Sequence, residues 1–317
     1  MSRRRSVRTK TRPAEVKPQN RLLVAVALGA LVVGAGTTYL ARDPAGPVAV
    51  PTESVTALPP LEVETGVVHV HGLGVDPADG VLYAATHSGL FRLPTSGAAV
   101  RVANRAQDTM GFSVVGPRTF IGSGHPDSRE DAVRPPLLGL VESTDAGQSW
   151  SRLSLHGKAD FHALHAGHGQ VYGYDSTSQT FMVTADRKVW DRRAQLPMRD
   201  FAVGPARAET VLATTGGGLQ RSTDGGRTFR ALAGPAGLTV LAWPAAGSLY
   251  AAAGDGTIHH SADGGETWTQ RGTTGGQPEA ITADARNGVE TLYVAVADRG
   301  ILASTDGAKT FSTRYQE

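Results

Sequence analysis

Eight of the ten histidines fall between residues 69 and 168. His69 and His71 make a His-x-His pair, Asp160 and His162 an Asp-x-His pair, and His87, His125 and Asp175 stand close to turn-forming residues. Imidazole nitrogens beside carboxylates are a donor set for zinc, copper or nickel, and a thioether such as that of Met110 favours copper(I). A His-x-His pair on a strand carries both rings on one face, two residue rises apart. Other chemistries find less support. No cysteine is present, so disulfides, thiolate metal sites and thiol nucleophiles are excluded. No Gly-x-Ser-x-Gly occurs, and the TTGGG run at 214–218 lies between two strand-like segments rather than ahead of a helix, where a phosphate cradle belongs.

The elements that must position these residues are set by repetition. The phrases STDAGQSW (143–150), STDGGRTF (222–229), SADGGETW (261–268) and STDGAKTF (304–311) are near copies. A blurred copy, VTADRKVW at 183–190, keeps Asp186 and Trp190, and GLFRLPTSG at 89–97 resembles GLQRSTDGG without the Asp. The period is near 40 residues. Each unit reads as an apolar run, a second apolar strand such as SLYAAA, a turn, a third strand entering the phrase, and a short fourth strand. Such a repeat marks an all-β propeller of six four-stranded blades over residues 67–317, or seven if residues 50–66 add more than an edge strand. Asp145, Asp224, Asp263 and Asp306 are expected to cap turns through backbone N–H groups, with Gly supplying positive φ. A turn is needed in every blade, whereas a catalytic acid is needed once.

The register places the starts of the innermost strands and the loops after the second strands at one end of the ring, with the repeated phrase at the other. The first end collects His69, His71, Asp108, Met110, Asp160, His162, Arg199, Asp200 and Glu279, together with His87, His125, Asp127, Asp175, Asp255 and Asp298. His69, His71, His87, Met110, His125, Asp160, His162 and Asp175 are the candidate ligands for a metal ion, copper or zinc, or for a small molecule. A polar insertion, SGHPDSREDAVRPPLL at 123–138, leaves from the same end, and long loops on rigid scaffolds often carry binding.

The phrase S/T-x-D-x-G-x-x-W/F resembles the Asp-box, or BNR, repeat of sialidases and related propellers. The stretches HVHGLGVDP, ATHSGLFR, MGFSVVGP, GSGHPD and ADFHALHAG are similar to those of a bacterial family of membrane-tethered, glycosylhydrolase-like Asp-box proteins. The resemblance implies a glycoside hydrolase working through paired carboxylates. Asp108, Asp160, Asp175, Asp200, Asp255, Glu279 and Asp298 are available for that role, and no two are singled out. Sialidases add an arginine triad, a tyrosine nucleophile and an Arg-Ile-Pro motif. That motif is missing here, and the mouth offers Arg199 and Arg299 with few companions.

Residues 1–21 form a basic tail, and residues 22–40 contain no charge. Those 19 residues span roughly 28 Å as a helix, about the hydrocarbon thickness of a bilayer. The expectation is a cytoplasmic tail (1–21), a membrane anchor (22–41), a Pro- and Ala-rich linker (42–66) and an extracytoplasmic propeller. Val33 and Ala35 also make a passable cleavage site, which would release the propeller as a secreted protein. Beyond residue 65 the chain carries 22 Lys and Arg against 24 Asp and Glu. That balance argues against a nucleic-acid partner. Three readings follow: a tethered propeller binding a metal or small ligand, a glycoside hydrolase acting on a glycan at the same mouth, and a protein-interaction scaffold.

Overall fold

A computed structural model describes residues 66–129 and 135–316. The expected tail, anchor and most of the linker lie outside these residues. Among the described residues no helix is long and apolar enough to cross a membrane. Among the described residues twenty-four strands form six antiparallel four-stranded sheets, each built from strands consecutive in the chain. The blades span 70–101, 108–154, 161–195, 198–231, 238–273 and 278–315. Their innermost strands are Val70–Val75, Asp108–Gly116, Phe161–Gly167, Met198–Val203, Leu238–Ala245 and Pro278–Asp284. Each packs against the next, and the last returns to the first, closing a ring of six.

The core lies between blades. Second strands are buried on both faces because their alternating side chains serve two neighbours. In blade 5, Leu249, Ala251 and Ala253 join the cluster shared with blade 4, while Tyr250 and Ala252 join the one shared with blade 6. Blade 1 repeats this, with Leu82 and Ala84 facing blade 6 and Tyr83 and Ala85 facing blade 2. Burying one such Leu, Phe or Val is worth about 1.5–3 kcal/mol, and the interfaces repeat this around the ring.

The repeated phrase closes the hairpin between third and fourth strands, at the end opposite the innermost strand starts. In SADGGETW the Ser261 hydroxyl donates to Asp263 Oδ1 at 2.7 Å and accepts the Gly265 N–H at 2.7 Å. Asp263 accepts the Thr267 N–H at 2.9 Å and the Thr267 hydroxyl at 2.6 Å. The same bonds recur at Ser143/Asp145, Ser222/Asp224 and Ser304/Asp306. Thr184 and Asp186 keep part of the pattern in the blurred copy. The closing aromatics fold inward: Trp190 stacks on Phe161 at 4.7 Å, and Trp150 and Trp268 pack against the clusters between blades 1 and 2 and between blades 4 and 5.

Candidate functional site

Every innermost strand carries a β-bulge near its start. One residue is left over where the pairing with the second strand shifts: His71, Met110, His162, Arg199, Thr239 and Glu279 in blades 1 to 6. Bulges re-aim side chains, and six in register make a ring of equivalent positions at one mouth. His71, His162, Arg199 and Glu279 line the resulting axial channel, a cavity of about 520 Å³. Two residues before each bulge stand His69, Asp108, Asp160, Pro197, Gly237 and Gln277. Only blades 1 to 3 place a histidine, methionine or carboxylate at both levels, so the candidate ligands occupy one arc.

Close approach of the strands gathers that arc. A Cβ on Gly111 would lie 2.4 Å from the Phe161 carbonyl oxygen, and one on Gly72 would lie 3.0 Å from Phe112 Cβ. Glycine at these positions lets the innermost strands of blades 1, 2 and 3 come together. His87 sits in the hairpin of blade 1, where the Thr86 hydroxyl donates to the Gly89 carbonyl and accepts the Ser88 N–H. His125 ends the second strand of blade 2.

Asp108 is the hub. Its Oδ1 lies 2.9 Å from His87 Nδ1 and 3.8 Å from His71 Nε2, and its Oδ2 lies 3.1 Å from His125 Nδ1. His125 Nε2 in turn stands 3.9 Å from Asp160 Oδ2, which is 2.9 Å from His162 Nε2. On the other flank His69 Nδ1 is 3.8 Å from Glu279 Oε1, and its ring meets that of His87 edge-on with centroids 5.8 Å apart. The His71 and His87 rings are 5.0 Å apart. Among the described residues, His71, His87 and Asp108 form a trio whose ligand atoms all lie within 4.8 Å of one another. His71 Nε2 is buried yet has no hydrogen-bond partner.

The electrostatics suit a cation. Burial pushes the His71 pKa down to about 4; Asp108 opposes this, and His87, His162 and His69 add to it. The ring is therefore neutral near pH 7, with a lone pair on one nitrogen. Burial alone would raise Asp160, whose side chain is 8% exposed. The hydrogen bond from His162, the charges of His162 and His125, and the Ser176 hydroxyl outweigh it and hold Asp160 below its ordinary value. Anionic carboxylates near the neutral His71 ring meet the needs of zinc or copper.

The sequence-derived candidates divide cleanly. His71, His87, His125, Asp160 and His162 come together, with His69 at their edge. Met110 holds the bulge position between His71 and His162. Asp175 does not join the cluster; it accepts the Asp160 N–H at 3.0 Å and the Ser178 hydroxyl, so it positions Asp160. Asp108 and Glu279 stand out in the sequence only as carboxylates at strand starts, and Asp108 proves to be the centre. The signal that could have found it is its place in the repeat, at an innermost-strand start in line with His69 and Asp160. Asp127 lies away from the histidines, holding Arg129 and the Ala106 N–H.

No family model and no curated protein matches the chain. Solved structures do match. The GH74 xyloglucanase from Xanthomonas campestris aligns with a TM-score of 0.51 at 16% identity over 77% of this chain and 45% of that one. YCF48 from Cyanidioschyzon merolae aligns at 0.51 and 13% identity, over 74% and 94%. A structure of a nidogen/laminin complex aligns at 0.56 and 14% identity, over 74% and 92%. The chain is a β-propeller. It spans less than half the length of the GH74 enzymes it matches. At these identities the likeness establishes the fold and leaves the chemistry to the residues.

Proposed function

We propose that this chain is a membrane-tethered extracytoplasmic propeller that binds a transition-metal ion at its axial mouth through His71, His87 and Asp108. One observation carries the reading: His71 Nε2 is buried without a hydrogen-bond partner and belongs, with His87 and Asp108, to a trio whose ligand atoms all lie within 4.8 Å of one another. Burying such an atom unpaired costs about 1–3 kcal/mol, and a bound cation removes that cost. Two nitrogens and an oxygen suit zinc or copper(II); Met110, at the bulge between His71 and His162, adds a thioether that would favour copper(I). The tether rests on the basic tail and the uncharged run at 22–40.

The glycosidase suggested by the resemblance to glycosylhydrolase-like Asp-box proteins draws less support from the mouth. Both oxygens of Asp200 accept main-chain N–H groups, from Phe201 and Leu241 at 2.8 Å each. Glu279 Oε2 accepts the Val70 N–H at 3.0 Å. Asp175 is held by Asp160 and Ser178. Carboxylates committed in this way staple blades and strands rather than face a sugar.

The test is a competition titration of zinc and copper into the full chain against a chromogenic chelator. The wild type is expected to bind, and a His71→Ala, His87→Ala variant to lose at least about tenfold in affinity, or 1.4 kcal/mol. Binding should weaken as pH falls toward about 4, where protons compete for the His71 nitrogen. Identical curves for both proteins would remove these residues from any site.

A further inference from the structure

Arg199 is the one lysine or arginine among the described residues that line the axial channel. It is the bulged residue of blade 4, between the paired Met198 and Asp200. Blade 4 lies opposite blade 1 in a ring of six, so Arg199 stands across the channel from His71. It is exposed, and no hydrogen bond or ion pair to another described residue holds its guanidinium. The carboxylates of the same channel are engaged elsewhere. Asp200 accepts the Phe201 and Leu241 N–H groups, Glu279 accepts the Val70 N–H, and Asp284 lies 2.6 Å from Arg286 Nε. Arg299, the other arginine at this end, donates to the Thr274 carbonyl at 2.9 Å. The space beside Arg199 is open as well. Its neighbour Met198 pairs with Thr215, which leads into the hairpin Gly216, Gly217 and Gly218. A Cβ at Gly216 or Gly218 would meet nothing within 4 Å.

We infer that the mouth binds a small dicarboxylate, one end paired with Arg199 and the other on the ion proposed at His71, His87 and Asp108. The inference rests on that reading for the ion, and Arg199 supplies the second contact. A guanidinium is a planar fork that matches a carboxylate with two parallel hydrogen bonds. A single arginine among three lining carboxylates balances one negative charge. That favours a carboxylate over a phosphate group, which carries nearly two. At the ion, a trio of protein ligands leaves the fourth position of a tetrahedral site for an oxygen of the bound molecule. The channel, about 520 Å³, has the size of a small-molecule pocket, typically about 300–1,000 Å³. Joining both carboxylates in one molecule makes the second contact intramolecular, so affinity exceeds that of either end alone.

The test is isothermal titration calorimetry of the zinc-loaded full chain with succinate, glutarate and adipate, and with acetate as the single-carboxylate control. Elemental analysis after dialysis reports whether each protein keeps its zinc, and thermal melting confirms that each variant is folded. The wild type is expected to bind at least one of the three dicarboxylates about tenfold or more tighter than acetate. Arg199→Gln, a change at an exposed side chain, is expected to keep its zinc and lose that advantage. A zinc-loaded wild type that binds no dicarboxylate better than acetate overturns the inference and leaves the metal reading standing. The same advantage retained in Arg199→Gln does so too. A wild type that holds no zinc overturns the metal reading and the two-ended ligand with it.

Discussion

Aspartates of one type do three different jobs in this chain, and the surroundings decide which. In the repeated hairpins burial would raise the Asp145 carboxyl, but donation from Ser149 and Ser143 outweighs it and holds the pKa down to about 2. Asp224, Asp263 and Asp306 also lie below the ordinary range, led by donation from Ser222, Thr267 and Thr310. Asp200, between blades 4 and 5, is raised by burial to about 6 against the pull of the Leu241 and Phe201 N–H groups. The hairpin carboxylates are lowered on folding, so their contribution is complete above the unfolded value near 3.9 and is lost as pH falls toward about 2. Asp200 has the opposite sign, and its contribution fades as pH rises through about 6. Urea midpoints should therefore drop between about pH 4 and pH 2; a flat profile there would count against the hairpin bonds. The hairpin serine is as important as its aspartate. Ser261 is 1% exposed and serves both the Gly265 N–H and Asp263. Ser261→Ala should cost about 1–3 kcal/mol by urea unfolding and leave metal affinity unchanged, since the hairpin lies at the far end. The sequence displayed this aspartate four times, and its turn-capping role was legible from that repetition. Asp108 occurs once, in no motif, and gains its role only when three strands distant in sequence meet.

At the scale of strands and hairpins, the alternation of apolar residues and the 40-residue period made all six blades legible, down to the copy at 183–190. That copy still closes because Arg187 adopts φ 61, and Ala146 and Ala308 likewise stand in for glycine at 62 and 65. The bulges were not legible. An extra residue in a strand leaves no trace in composition, and one unpaired residue shifts every side chain after it to the other face. His71 and His162 line the axial channel from such bulge positions. Gly111 tests the close approach that gathers the arc. Gly111→Ala drives a methyl against the Phe161 carbonyl, so blades 2 and 3 must separate. The expected result is a loss of about 1–3 kcal/mol together with weaker metal binding. Lost stability with unchanged binding would show that the spacing of these blades does not set the site.

The ring as a whole closes without any blade mixing strands from both ends of the described chain. The seam between blades 6 and 1 is held by apolar packing of Leu82, Phe91, Ala295 and Ile301 and by side chains that bond across it. Glu279 accepts the Val70 N–H, Arg286 donates to the Gly80 carbonyl at 3.0 Å, and Arg314 donates to the Leu93 and Pro94 carbonyls at 2.9 Å each. Glu279→Ala should speed hydrogen exchange at Val70 by about tenfold, the effect of 1.4 kcal/mol, while amides between blades 3 and 4 keep their protection. Equal loosening everywhere would mean that the seam is no weaker than the other interfaces. The propeller thus supplies a frame, and the uneven placement of candidate ligands on blades 1 to 3 supplies the proposed site. Anomalous diffraction at the zinc edge, from crystals of the full chain grown with zinc, tests that most directly. The account predicts a peak about 2 Å from His71 Nε2, His87 Nδ1 and Asp108 Oδ1. An anomalous map with no peak at that mouth, or with its strongest peak at His259 and His260 on blade 5, would contradict it.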